Sequence, residues 1–231
     1  MAIWGLADLH LSTNVDKPMD IFGEEWANYV SRIKDGWENR VNDSDLVIIP
    51  GDISWAMHLR DALDDLKWIG KLPGHKLLLR GNHDYWWESI SKIRRSLPPR
   101  MYALQNDYFA WEGWAICGSR GWLCPGDTRF DEEKDQKIYL RELQRLELSL
   151  KSAFQEGHRH IITALHFPPF NVFRESSGFT ELLSSYGVKT CIYGHLHAEA
   201  KKTAYEGYLN GVQYIFVAAD WLGFCPALLV D

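Results

Sequence analysis

Five short runs of oxygen- and nitrogen-bearing side chains recur along this 231-residue chain, in the order Asp8-Leu9-His10, Gly51-Asp52, Gly81-Asn82-His83-Asp84, His166 and Gly194-His195-Leu196-His197. Each comes at or just past the end of an apolar run, such as Ile3-Trp4-Gly5-Leu6-Ala7 before the first and Leu46-Val47-Ile48-Ile49 before the second. Together they offer enough donors for two divalent cations side by side. Such a pair can generate hydroxide near neutral pH and stabilise charge on a phosphoryl group, which is the equipment for cleaving a phosphate ester with water. The donor set has no thiolate. It therefore suits manganese foremost, with iron, zinc, cobalt or nickel as alternatives.

Taken singly, each run has a plainer use. Asp8 suits a helix cap or turn, Gly51-Asp52 a turn, and Asp84 a cap closing an ordinary strand-to-helix turn. His166 before Phe167-Pro168-Pro169 could be one packed histidine. The alternation in Asp8-Leu9-His10 and in His195-Leu196-His197 lets both side chains of each pair face one side if the backbone is extended. The ordered set changes the reading, because polar residues just past the C-termini of strands in an α/β sheet gather along one rim. The cost of burying unpaired carboxylates and imidazoles argues against a core role for all of them.

The ordered set resembles the signature of the calcineurin-like metallophosphoesterases, and the resemblance runs from Asp8 to His197. It implies that Asp8, His10, Asp52 and His197 hold one metal ion, and that Asp52, Asn82, His166 and His195 hold the other, with Asp52 shared. It implies a catalytic His83 beside the leaving group, oriented by Asp84, and direct attack by a metal-bridging hydroxide. The family fold it implies is an α/β, two-sheet β sandwich flanked by helices (α/β/β/α, metallophosphatase-like). Ile53-Ser54-Trp55 follows Asp52 where the Ser/Thr protein phosphatase branch carries an Asp-Arg pair, so that branch fits poorly. Asp8-Leu9-His10-Leu11 also resembles the UDP-diacylglucosamine pyrophosphatases, which usually carry Arg where His83 stands. Phosphate binding then falls to Arg120, or to Arg80 or Arg129, since a guanidinium fork matches phosphate. A surface salt bridge is the plainer use of each.

Composition narrows the partners. Lys and Arg total 25 against 31 Asp and Glu, a net charge of −6. That balance gives no electrostatic footprint for a long nucleic acid, although bound cations would make the site locally positive. The expected substrate is a small phosphate ester or a nucleotide-like phosphodiester. The competing readings are a non-catalytic scaffold of the same fold and a nuclease. No apolar stretch is long enough to span a bilayer, and no signal core precedes Ile3. The expectation is a cytoplasmic protein that has no membrane partner and keeps its four cysteines as buried free thiols.

The elements that must position these residues are legible as alternating apolar runs and amphipathic patterns. Strands are expected at 3–7, 46–49 and 76–79, interleaved with helices at 24–40, 58–69 and 87–97. This rhythm predicts a mainly parallel sheet. Short strands follow at 101–104, 108–111 and 114–117, then a loop over 119–131 and a long charged helix over 132–155. Further strands are expected at 160–165 and 189–193 around a helix at 179–186, and the tail strands at 213–217 and 227–230 are expected to be antiparallel. The absence of repeats or linkers predicts a single domain over 1–231, with 119–156 either a cap-like insertion or a solvated helix with one packed stripe. Trp55, Tyr85, Trp86, Trp87, Trp122 and Phe167 flank the donor runs and could wall a pocket or simply pack.

Overall fold

The computed structural model describes residues 1–17 and 19–231. The chain divides into two compact units, Met1–Ala103 with Val217–Asp231, and Leu104–Phe216. In chain order the elements are β1 (Ile3–Gly5), α1 (Tyr29–Glu38), β2 (Leu46–Pro50), α2 (Leu59–Lys71), β3 (His75–Leu79), α3 (Ile90–Ser96), β4 (Met101–Ala103), β5 (Phe109–Trp111), β6 (Trp114–Ser119), α4 (Glu132–Gln155), β7 (Ile161–Leu165), α5 (Gly178–Ser185), β8 (Thr190–Tyr193), β9 (Gly207–Leu209), β10 (Val212–Phe216) and β11 (Ala227–Val230). The class is α/β, with mixed sheets of five and six strands, as the sequence predicts.

The first unit holds the sheet ordered β11-β1-β2-β3-β4. Strands β1 to β4 run parallel and β11 joins β1 antiparallel. All five residues of β2 are buried, which is why its sequence is a continuous apolar run rather than an alternating one. Helix α2 buries Leu59, Ala62, Leu66 and Ile69 at helical spacing. Lys76, at the start of β3, is fully buried, and its ammonium donates to the carbonyls of Leu72 and Gly74 where α2 ends. Trp26, Trp37, Trp86 and Phe224 belong to this unit's apolar core.

The second unit holds the sheet ordered β5-β6-β7-β8-β10-β9. Its central strands are parallel, and β5 and β9 close the edges antiparallel. Helix α4 buries Tyr139, Leu146, Leu150 and Ala153. It is tied to β6 by the Gly118 N–H, which donates to Ser149 Oγ at 3.0 Å. Its start is capped by Asp131, which accepts from the N–H groups of Glu133 and Lys134. Ser177 and Thr180 form a capping box at the start of α5.

Three expectations need correction. The predicted helix at 24–40 is a short 3-10 turn, Glu24–Trp26, followed by α1; Asn28 between them is left-handed, with φ 53°. Asn tolerates that conformation because its short amide can bond locally, so the helix restarts there. The tail strand at 213–217 is parallel to β8 and antiparallel only to β9, a short strand the sequence pattern does not reveal. Of the thiols, Cys117, Cys124 and Cys191 are buried but Cys225 is partly exposed. Burial pushes Cys117 and Cys124 up to about 12. Among the described residues, no helix is long and apolar enough to cross a membrane.

Candidate metal centre

In the first unit the loops after β1, β2 and β3 are laced together by backbone bonds. Asp8 N–H donates to Gly51 O at 3.0 Å, His10 N–H to Asp52 O at 2.9 Å and Leu11 N–H to Ile53 O at 3.0 Å. This brings Asp8, His10 and Asp52 to neighbouring positions, all buried. His10 Nε2 lies 3.9 Å from Asp52 Oδ2. Two ligand atoms each about 2.1 Å from one ion stand up to about 4 Å apart, so this spacing admits a shared cation. Asp52 Oδ1 also accepts the His83 N–H at 2.8 Å, which links the third loop to the second.

The backbone at these donors is not extended. Asp8 (φ 61°), His10 (φ 46°) and Asp52 (φ 50°) are all left-handed. The expected face-sharing through strand-like alternation at Asp8-Leu9-His10 is therefore corrected. The side chains are aimed by three unfavourable backbone conformations, each costing about 1–3 kcal/mol. Strain of this kind persists only where surrounding structure imposes it, and it concentrates at functional sites.

Asp84 is buried, and its carboxylate organises the loops. Oδ1 accepts from the N–H groups of Ile53 at 2.9 Å and Ser54 at 3.2 Å and from Trp86 Nε1 at 3.0 Å, while Oδ2 accepts from Gly81 N–H at 2.7 Å. Burial holds this carboxyl above the ordinary carboxylate range, against the pull of those donors. These four bonds lock the Asp52 loop to the Asn82-His83 loop, a role the expected orientation of His83 does not describe. Behind them Ser54 Oγ donates to buried Asp65 Oδ2 at 2.5 Å, and Thr13 N–H donates to Asp65 Oδ1 at 3.0 Å. Sequence reasoning missed Asp65; the available signal was a carboxylate on the apolar face of α2.

The aromatic neighbours separate into two kinds. Trp86 and Trp87 are buried in the first unit's apolar core. Trp55 stacks on His10 with ring centroids 4.8 Å apart and an interplanar angle of 20°, and lies 4.5 Å from His83. Tyr85 is 53% exposed, with its ring 6.2 Å from His83.

In the second unit the ends of β7 and β8 deliver the histidines. The Gly194 N–H donates to His166 O at 3.1 Å, so the two strand ends stay in register. His166 is fully buried, and its Nε2 lies 3.2 Å from His195 Nδ1. His195 is left-handed, with φ 75°, and its ring packs on Phe167 at 3.9 Å between centroids. His197 begins a 3-10 turn, Ala198–Thr203, and is half-buried.

Arg120 lies near His166 through its backbone: its carbonyl accepts the N–H groups of His166 and Phe167. Its side chain turns elsewhere. The guanidinium donates to buried Glu142 at 3.3 Å and stacks over Trp122 at 4.5 Å. Arg129 is likewise engaged, donating from Nε and from a terminal nitrogen to the two Asp127 oxygens at 3.0 and 3.3 Å.

Imidazoles and carboxylates at the ends of parallel strands in an α/β chain with two mixed sheets form a donor set of the kind that holds divalent cations. The chain belongs to the calcineurin-like phosphoesterase family, whose sequence profile matches residues 1–199. The family is one of phosphoesterases, and membership implies divalent metal ions. A relative named Gene 66 protein, from Mycobacterium phage D29, is 35% identical over 83 residues, covering 36% of this chain and 40% of that protein. The match thus spans less than half of that relative's length. Among solved structures, the phosphopantetheinyl hydrolase PptH from Mycobacterium tuberculosis is similar over 99% of this chain and 95% of its own, with a TM-score of 0.58 and 12% identity. That likeness shows a shared fold. AQ665 from Aquifex aeolicus, a protein of unknown function, covers 98% of this chain and 95% of its own at 15% identity, with a TM-score of 0.48.

Proposed function

We propose that this chain is a binuclear-metal-dependent phosphoesterase hydrolysing a small phosphate ester or a nucleotide-like phosphodiester by direct attack of water. Asp8, His10, Asp52 and His197 would hold one ion, and Asp52, Asn82, His166 and His195 the other, following the ligand set of the family. Manganese is the first candidate, because every donor is oxygen or nitrogen. When bound, the two ions would supply the charge that activates water and binds phosphate oxygens.

The chain's own residues do the rest. Asp52 is fixed from both sides, by its left-handed backbone and by the His83 N–H. His83 donates a proton to the departing oxygen. Asp84 keeps the loops of Asp52 and His83 in one arrangement, so that acid and metal ligands are preorganised. Attack by water predicts inversion at phosphorus and no phosphoenzyme. We further read the chain as one functional domain over 1–231, acting as a cytoplasmic enzyme.

The observation that carries this reading is the pairing of buried and half-buried donors at strand ends: His10 with Asp52 at 3.9 Å, and His166 with half-buried His195 at 3.2 Å. Turnover of bis(p-nitrophenyl) phosphate, with and without added manganese, tests it. Hydrolysis that EDTA abolishes and manganese restores is the expected result. Metal binding without turnover, across monoesters, diesters and pyrophosphates and across manganese, iron, zinc, cobalt and nickel, would overturn it in favour of a scaffold.

A further inference from the structure

The proposed reaction leaves unused one cation on the indole against which His83 packs. Lys17 lies on the segment that follows the Asp8-Leu9-His10 run, with its backbone N–H donating to Val15 O at 2.9 Å. Its Nζ sits 3.4 Å from the centroid of the Trp55 ring. Trp55 is also the ring that stacks on His10 and touches His83, and its own Nε1 is fixed 3.1 Å from Met19 Sδ. The ammonium, a proposed metal ligand and the proposed acid thus all contact one indole.

The chemistry of that position is specific. An ammonium over an indole is attracted by the negative face of the ring. Lys17 is half-buried, and among the described residues no carboxylate pairs with it. Tyr85, exposed by 53%, has its ring edge-on to His83 at 6.2 Å. Around Trp55 and His83 the chain thus gathers a positive charge, an indole and an exposed phenol. A leaving fragment that carries its own negative charge would gain from that charge.

We infer that Lys17 is a specificity-determining residue that binds a second anionic group, a phosphate or a carboxylate, on the fragment released beside His83. The inference rests on the phosphoesterase reading and on the placement of His83 at the leaving oxygen. It makes the preferred substrate one whose alcohol portion is itself anionic.

A matched pair of chromogenic diesters tests it: bis(p-nitrophenyl) phosphate and bis(3-carboxy-4-nitrophenyl) phosphate, both assayed with manganese. The readout is the ratio of kcat/KM for the carboxylated ester to that for the plain one. Lys17→Gln should lower this ratio about tenfold, through KM on the carboxylated ester, as expected for loss of one charge-assisted contact. Lys17→Arg should keep the ratio within about threefold of wild type, and Lys17→Glu should lower it further than Gln does. An unchanged ratio in Lys17→Gln overturns the inference, including the case where both esters lose rate together, as they would for a purely structural lysine. If wild type hydrolyses neither diester, the same ratio is read on p-nitrophenyl phosphate and 3-carboxy-4-nitrophenyl phosphate, and if no monoester, diester or pyrophosphate turns over, the phosphoesterase reading fails first. If it hydrolyses the plain ester and the ratio ignores Lys17, only this inference fails.

Discussion

A Cβ on Gly81 would lie 2.1 Å from Asp52 Oδ1 and 2.2 Å from the Asp52 backbone nitrogen. Glycine is required here for close approach and not for an unusual φ. Gly81→Ala must push Asp52 away from its place or displace the Asn82-His83 loop. A shift of about 1 Å at a reacting centre can cost about 100-fold in rate, so Gly81→Ala should lose at least that much kcat and bind manganese more weakly. Steady-state rates with metal titration check this. Wild-type kcat in the alanine variant would remove Asp52 from the reaction.

His83 makes a different prediction, because it is proposed as acid and not as ligand. His83→Ala should lower turnover by about 100- to 10,000-fold, the usual range for a positioned proton donor. Its metal content, read by elemental analysis, should stay near that of wild type. Loss of both ions with the side chain would give His83 a ligand's role.

Asp84 separates a structural role from an orienting one. Its carboxylate accepts four hydrogen bonds in a fully buried place. Removing a buried acceptor leaves donors unsatisfied at about 1–3 kcal/mol for each group. Asp84→Ala should therefore destabilise the chain by at least about 3 kcal/mol in urea unfolding. A variant that unfolds like wild type yet loses kcat would show that Asp84 acts through His83 alone.

Much of this arrangement is legible in the sequence because a buried parallel strand must be an apolar run. Leu46-Val47-Ile48-Ile49 and the run ending at Leu165 announce strands, and the polar residues that follow announce strand ends. The order of the donor runs then selects the family. The left-handed backbones of Asp8, His10, Asp52 and His195 are not legible, since Asp and His reach that region more readily than most residues yet nothing in the sequence marks where they do. Nor is β9, a three-residue edge strand of Gly207-Tyr208-Leu209 with no alternation long enough to register. Lys17 escapes for the same reason: nothing in its spacing foretells that Nζ meets Trp55.

Lys76 gives the chain a pH-dependent stability unrelated to the site. Burial, then the charge of Arg100, lowers its ammonium from 10.5 to about 8. Below about pH 8 the folded chain carries the full cost of this buried charge. Above it the folded form sheds the proton while the unfolded chain keeps its own up to about 10.5, so the unfolded state binds more protons and stability rises with pH. The gain across that window is on the order of 2 kcal/mol. Urea unfolding of wild type and Lys76→Met from pH 7 to 10 isolates it: the difference should shift in favour of wild type as pH rises. Parallel curves would place the Lys76 pKa at its ordinary value.

Arg120 is the residue whose predicted duty and observed contacts diverge most. An arginine four residues downstream of Ile116 on the chemistry-bearing edge of a sheet is a fair candidate for substrate phosphate, and its backbone does support His166. Its guanidinium, however, meets Glu142, which is 1% exposed and also accepts from Arg145 at 2.9 Å, with Arg141 Nε 3.5 Å away. A carboxylate buried this deeply needs its cations, because breaking such a pair leaves a charge without compensation at about 3–5 kcal/mol. Part of that cost falls on Arg145, which stays when Arg120 is removed, so Arg120→Ala should destabilise by about 2–3 kcal/mol. The removal should lower Tm while KM for a phosphate ester stays within about twofold, a change of under 0.5 kcal/mol in binding. The opposite pattern, a KM raised tenfold at an unchanged Tm, would return Arg120 to the substrate and leave Glu142 to its two neighbours on α4.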